Sequence, residues 1–341
     1  MSKKASAKSV PQAGAFLLIL VLLGYLLLCP QTAADSARSG LVLWYHSVLP
    51  VIFPFLFLSS VMIRIVRAED LPAPLIRPLT RLFGCSPYGA FAILAGILCG
   101  LPVGAKLTSD LYQEQKIERD EALRMIGFVN NLSPGFLLSY VAVGLLGLHK
   151  TAWYIPASVL GAALFYGWAT YRFRTRLKCL AQRQQKHINN KTFAGKQGTA
   201  KMSPGPAPVP ALGNALNDSI FDAMESALRL CAYILLFAIL SGALMQAVPM
   251  ANPCALLLVS SIEVTNGTRL LAQSALPFPL KYLSITALAA FGGFSALAQS
   301  IGIAHMDREF LIDYIKSRVK ITLLAILFAA ATLLLQNSIY K

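Results

Sequence analysis

Glu263 lies in an apolar stretch, within the run Glu263-Val-Thr265-Asn266-Gly267-Thr268-Arg269. A carboxylate there is costly unless it pairs or has work to do. Three chemistries are open to it: holding a coupling cation such as sodium, carrying a proton, or pairing with Arg269. Asn130, Asn131, Thr265 and Asn266 supply amides and a hydroxyl that suit a planar polar solute, and Ser133, Thr268 and Ser295 add further hydroxyls. Lys106 and Arg269 together favour an anionic solute over a neutral nucleoside, although snorkelling to the interface is the ordinary role of either cation alone. No P-loop, nucleophile elbow, HExxH or dinucleotide fingerprint occurs. His46, His149 and His305 are scattered, and the six cysteines show no metal spacing. The expectation is therefore a protein without catalytic residues, cofactor or metal, and without an ATP site of its own.

These groups need elements that break inside a membrane. Gly100-Leu-Pro102-Val-Gly104-Ala-Lys106-Leu is echoed by Glu263-Val-Thr265-Asn266-Gly267-Thr-Arg269-Leu, at an offset of 163 between Gly104 and Gly267. A second pair of motifs follows each. Asn130-Asn131-Leu-Ser133-Pro134-Gly135 comes after the first and Gly292-Gly293-Phe294-Ser295 after the second, with Ser133 29 residues past Gly104 and Ser295 28 past Gly267. Broken apolar segments at matched places in two halves are the signature of inverted repeats, with a solute site where the breaks meet. Gly100, Pro102, Gly104, Gly267, Gly292 and Gly293 are the candidate break residues. Close packing through Gly96-x-x-x-Gly100 and Gly100-x-x-x-Gly104 is the structural alternative.

The 341 residues are 56% hydrophobic and 13% charged, with a mean hydropathy of +0.61, too apolar for an ordinary soluble domain. Nine apolar segments of about spanning length are visible. The net charge of +15 is concentrated between Arg172 and Lys201, ahead of a Ser-Pro-Gly-Pro-Ala-Pro-Val-Pro run. This stretch reads as a basic cytoplasmic loop beside anionic lipid; it lacks the interleaved aromatics of a nucleic-acid surface. With that loop inside, the charges fit seven crossings only if 88–105 and 253–271 are re-entrant. The expected organisation is 1–40, a first transmembrane helix and outer loop; 41–171, a first repeat; 172–217, a basic, Pro-rich linker; and 218–341, a second repeat in the opposite orientation. The fold class is an all-α polytopic membrane protein.

The motifs Leu49-Pro50-x-x-x-Pro54-Phe55, Gly96-x-x-x-Gly100-x-Pro102-x-Gly104-Ala105-Lys106, Asn130-Asn131-x-Ser133-Pro134, Glu263-x-Thr265-Asn266-Gly267 and Phe291-Gly292-Gly293-Phe294-Ser295 resemble those of the sporulation integral membrane protein family YlbJ, also called SpoVV. One departure is Leu101 before Pro102, where related sequences often carry an aromatic. The resemblance implies the nucleoside-recognition or Gate architecture, shared with concentrative nucleoside transporters. It further implies dipicolinate transport across the outer forespore membrane, a multi-pass membrane derived from the mother cell, during endospore formation. A nucleoside or other neutral-solute transporter and a non-transporting sporulation scaffold are the alternatives. The expected partners are a small organic anion, the lipid bilayer and a coupling proton or sodium ion, with room for a homo-oligomer and no nucleic acid.

Overall fold

The computed structural model describes residues 12–67, 70–189, 212–249, 252–304 and 307–339, and its regular structure is entirely helical. Helix α1 (Gln12–Leu28) turns through 107° into α2 (Pro30–Leu43), which continues through one π-helical turn, π1 (Trp44–Val48), into α3 (Leu49–Ile65). Residues 30–40, expected as an outer loop, are thus helical. Pro30 opens α2 at a position where its missing N–H costs nothing, and an alanine-rich run follows. Helix α4 (Ala73–Phe83) meets α5 (Pro87–Cys99) at 97°.

From α5 onward one order of elements occurs twice. A helical hairpin, α5 and α6 (Val103–Gln113), precedes a broken helix, α7 (Arg119–Val129) and π2 (Phe136–Leu145), and then a long helix, α8 (Tyr154–Asn189). After α9 (Leu212–Ala247) come a hairpin, α10 (Pro253–Ser260) and α11 (Val264–Gln273), a broken helix, α12 (Phe278–Phe291) and α13 (Gly293–Ile303), and the long α14 (Arg308–Ile339). The offset read from the glycines carries Val129, the end of α7, onto Gly292, the break after α12.

The hairpin arms are too short to cross a bilayer core: 13 residues in α5 reach roughly 20 Å and 8 in α10 roughly 12 Å. Each pair doubles back with its arms in contact. A Cβ on Gly96 would lie 3.2 Å from the Gly104 Cα, and one on Gly267 would lie 1.9 Å from the Ser260 carbonyl oxygen. The first hairpin extends to Gln113 instead of ending at 105. Lys106 therefore sits near the tip, on the return arm, and not at the hairpin's end as expected.

Length and apolarity alone single out three spans among the described residues, 212–247, 278–303 and 308–335, or five if each bent pair counts as one. Of the other expected crossings, 41–63 falls largely on π1 and α3, which holds Pro54 within it, 125–148 on the α7–π2 pair, broken at 130–133, and 152–171 on the continuous α8. Helix α8 continues into the basic stretch 172–217 as far as Asn189, and α9 begins within it at Leu212. The part between lies outside the described residues.

Two long antiparallel pairs frame the molecule. The α2–α3 helix runs along α9: Gly40 packs on Ala238 at one end, and Ser60 bonds Asp222 towards the other. In the same manner α8 runs along α14, with Gly161 near Phe328 and Tyr166 bonded to Ser317. The largest core cluster lies between α5–α8 and α11–α14. Leu27, Leu98, Phe173, Leu327 and Leu334 are left facing outward, as a protein with lipid for its solvent requires.

Candidate functional site

Each hairpin tip is seated against the break of the helix that follows it. At the first tip Gly100 adopts φ +81°, and a Cβ there would lie 2.7 Å from the Ser133 amide nitrogen. At the second tip the carbonyls of Ser261 and Ile262 accept from the Phe294 and Ser295 amides at 2.8 and 2.9 Å. Those amides are first-turn donors of α13, which a broken helix leaves without an internal partner. Gly292, at φ +93°, makes the turn between α12 and α13, a conformation that costs an L side chain about 1 kcal/mol or more.

Between the tips lies a chamber of about 380 Å³. Leu101 and Cys99 reach it from the first hairpin, Ser133 and Phe136 from the first break, Glu263 and Thr265 from the second tip, and Ser295 and Gln299 from α13. A second chamber of about 570 Å³ adjoins it towards the C-terminal end of α9, sharing Glu263 and Thr265 and adding His46, Tyr140, Asn266 and Arg269. Ser133 and Ser295 thus line the first chamber, Asn266 and Arg269 the second, and Glu263 and Thr265 both.

Glu263 does not pair with Arg269 among the described residues. Its two carboxylate oxygens accept from the Thr265 and Asn266 amides at 2.9 and 2.8 Å, so it caps α11. A negative charge at that position also faces the positive end of the helix dipole. Tyr140 on π2 donates to the Thr265 carbonyl at 3.3 Å, and Gln299 donates to the Ser295 hydroxyl at 2.8 Å. Sequence reasoning missed Gln299, although it lies four residues beyond Ser295 on the same helix face.

Three expected solute contacts lie elsewhere. Asn130 is fully buried: its oxygen accepts from the Ala105 amide at 3.2 Å, while its nitrogen donates to Ser300 at 2.7 Å and Tyr314 at 2.9 Å. Asn131 donates to the Phe128 carbonyl and accepts from Arg318. Both amides are engaged inside the protein, and neither lines a chamber. Lys106 is buried with its ammonium on Asp110 at 2.8 Å and Asp222 at 3.3 Å, within a network that includes Ser60 and Arg64. It joins hairpin 1 to α9 and is not a free cation at the site.

Arg318 is completely buried. Its guanidinium donates to Asn130 O and Asn131 Oδ1, both at 2.9 Å, to Phe291 O at 3.3 Å, and to Ala290 O. These acceptors come from the C-terminal ends of α7 and α12, where the last carbonyls have no helical partner and the dipole is negative. One planar fork therefore caps two broken helices at once, a task that suits arginine's fixed donor geometry. Among the described residues no group of His, Cys, Asp and Glu is arranged to hold a metal.

No protein-family model matches the chain, and no solved structure does. It is similar to the sporulation integral membrane protein YlbJ of Bacillus subtilis (strain 168), with 28% identity over 302 aligned residues that cover 80% of this chain and 71% of the relative.

Proposed function

We propose that this protein is a membrane transporter of a small organic anion, in which the two hairpins and two broken helices form a Gate-type inverted repeat. The observation that carries the reading is the chamber itself: both hairpin tips, the first helix break and the start of α13 border it, and Ser133, Thr265, Ser295 and Gln299 meet there. Arg269 and Asn266, in the adjoining chamber, would attract and orient an anion on its way in. Glu263 would shape the second tip as the cap of α11, with proton or sodium coupling as its further role.

Similarity to a sporulation membrane protein supports endospore formation as the setting. The outer forespore membrane as the location and dipicolinate, a planar dianion, as the solute are what the resemblance of the motifs implies. Uptake of labelled dipicolinate into proteoliposomes tests this directly. The expected result is saturable uptake that falls at least tenfold in Arg269→Gln; no uptake under any proton or sodium gradient would defeat autonomous transport.

A neutral solute is the second reading, favoured by one observation: two carboxylates occupy Lys106, and among the described residues that leaves Arg269 as the basic side chain, Lys or Arg, lining the chambers. It predicts nucleoside uptake that Arg269→Gln leaves unchanged.

A further inference from the structure

A third cavity, of about 200 Å³, opens between α7, α8 and α14 at the end opposite the second chamber. Arg124, Arg174, Lys316 and Lys320 line it together with one acid, Asp313, and three hydroxyls that include Ser317. Arg174 reaches the Asp120 carboxylate at 2.8 Å and Arg124 the Asp120 carbonyl at 3.2 Å. Lys316 and Lys320 have no ion-pair partner among the described residues. They sit four residues apart on one face of α14, where like charges repel. Cations from three helices thus converge on a cleft holding a single carboxylate, which leaves it short of negative charge.

The cleft's depth indicates what supplies that charge. The apolar run of α14 begins at Ile321, immediately after Lys320, and that of α8 ends just before Arg172-Phe173-Arg174. Both changes mark the level where hydrocarbon gives way to headgroups. Phe173, 65% exposed, extends from the rim as an acyl-chain contact would.

We propose that this cleft is a binding site for the phosphate of an anionic phospholipid, with Lys316 and Lys320 as its principal ligands. Only Arg174 belongs to the basic stretch that starts at Arg172 within α8; the other cations come from α7 and α14, so the site is a defined pocket and not a diffuse charged loop. Ser317 packs against Gly127 and precedes Arg318, so an occupant would brace α7 against α14 beside the point where both helix breaks are held. The proposal needs a bilayer but not transport, and lipid binding can fail or succeed whatever the uptake assay gives.

The test uses the purified full-length chain in a non-ionic detergent. Melting temperature and lipid retained by native mass spectrometry are followed on adding phosphatidylglycerol, phosphatidylcholine or inorganic phosphate. Phosphatidylglycerol is expected to raise the melting temperature and phosphatidylcholine to leave it unchanged. In Lys316→Gln/Lys320→Gln the apparent affinity for phosphatidylglycerol should fall about thirtyfold, since each lysine near an anionic surface contributes about fivefold. Both lysines are exposed, so the variant should fold. The control Arg77→Gln/Arg81→Gln removes two exposed cations from α4 and should retain full affinity. An equal loss in that control would mean generalised surface attraction and overturn the site. A shift reproduced by millimolar inorganic phosphate alone would make it a free-anion site and overturn the lipid assignment.

Discussion

The two hairpins share one design but are held in different ways. The return arm of the first, α6, is fastened from outside. Asn130 of the following break caps it through the Ala105 amide, Lys106 ties it to Asp222 on α9, and Ser109 donates to Ala304 at the end of α13. The return arm of the second, α11, carries its own cap in Glu263 and is joined to α13 at the tip by two backbone hydrogen bonds. The polar groups of the first hairpin are consequently neutralised within the protein, whereas those of the second face the chambers. One copy of the repeat acts as framework and the other presents the chemistry. Near-symmetry in element order therefore does not extend to symmetry of role.

The sharpest way to break this comparison is to remove what both repeats depend on. Arg318→Met would leave the carbonyl ends of α7 and α12 unpaired in the interior, and breaking a buried charge network of this kind costs roughly 3–5 kcal/mol. The expected outcome is the largest loss of thermal stability in the series, with Arg318→Lys intermediate because an ammonium cannot fork. A Met variant that melts with the wild type would show that the breaks hold themselves.

Next is the framework tie. Lys106→Met strands Asp110 and leaves Asp222 to Ser60 and Arg64, for a loss of up to about 3 kcal/mol, which Lys106→Met/Asp110→Asn should partly recover in a double-mutant cycle. Solute preference among the molecules that remain folded should be unchanged. A changed preference with intact stability would move Lys106 back to the site.

The self-contained cap of the second hairpin should be worth less. Glu263→Ala is expected to cost about 1–2 kcal/mol and Glu263→Gln less than half of that, since one amide acceptor survives. If Gln instead abolishes proton- or sodium-driven uptake while stability holds, the carboxylate has a coupling role beyond capping.

The broken helices were legible in the chain, the contrast between the two hairpins was not, and what was missed has a physical reason. The hairpins and breaks are written locally, in Gly100-x-Pro102-x-Gly104 and Gly292-Gly293, because only such residues permit the turns and close approaches there. The burial of Arg318 is not visible to charge counting, because it precedes an apolar run beside Lys316 and Lys320 and counting treats all three alike. Helical periodicity distinguishes them: Phe310, Tyr314, Ser317, Arg318, Ile321 and Ala325 form the buried stripe of α14, and the lysines fall off it. Asn130 and Asn131 were assigned to solute because an amide's bonding capacity is evident in sequence but its partners are not. Here those partners are Ser300, Tyr314 and Arg318, some 170 to 190 residues away.

The smallest expected effect sharpens the framework side at its solvent-exposed edge. Arg119, which opens α7, pairs with Asp307 at 2.8 Å and with Glu309, so the first repeat is tied to the start of α14. Asp307 also caps α14 by accepting from the Phe310 amide at 2.9 Å. That amide, with help from the Arg119 guanidinium and against a burial penalty, holds the Asp307 carboxyl below its ordinary value. A depressed acid contributes stability above its unfolded value of about 3.9 and loses it as pH falls through the lower folded one. Asp307→Asn keeps a capping oxygen and removes only charge. With the carboxylate 56% exposed and its ion pair screened, the cost at pH 7 should be about 0.5 kcal/mol. Melting curves of both proteins in detergent should differ at pH 7 and converge once the pH falls below the depressed folded value. A difference that persists unchanged in acid would assign the stabilisation to the shape of the cap, leaving the tie between α7 and α14 without an electrostatic part.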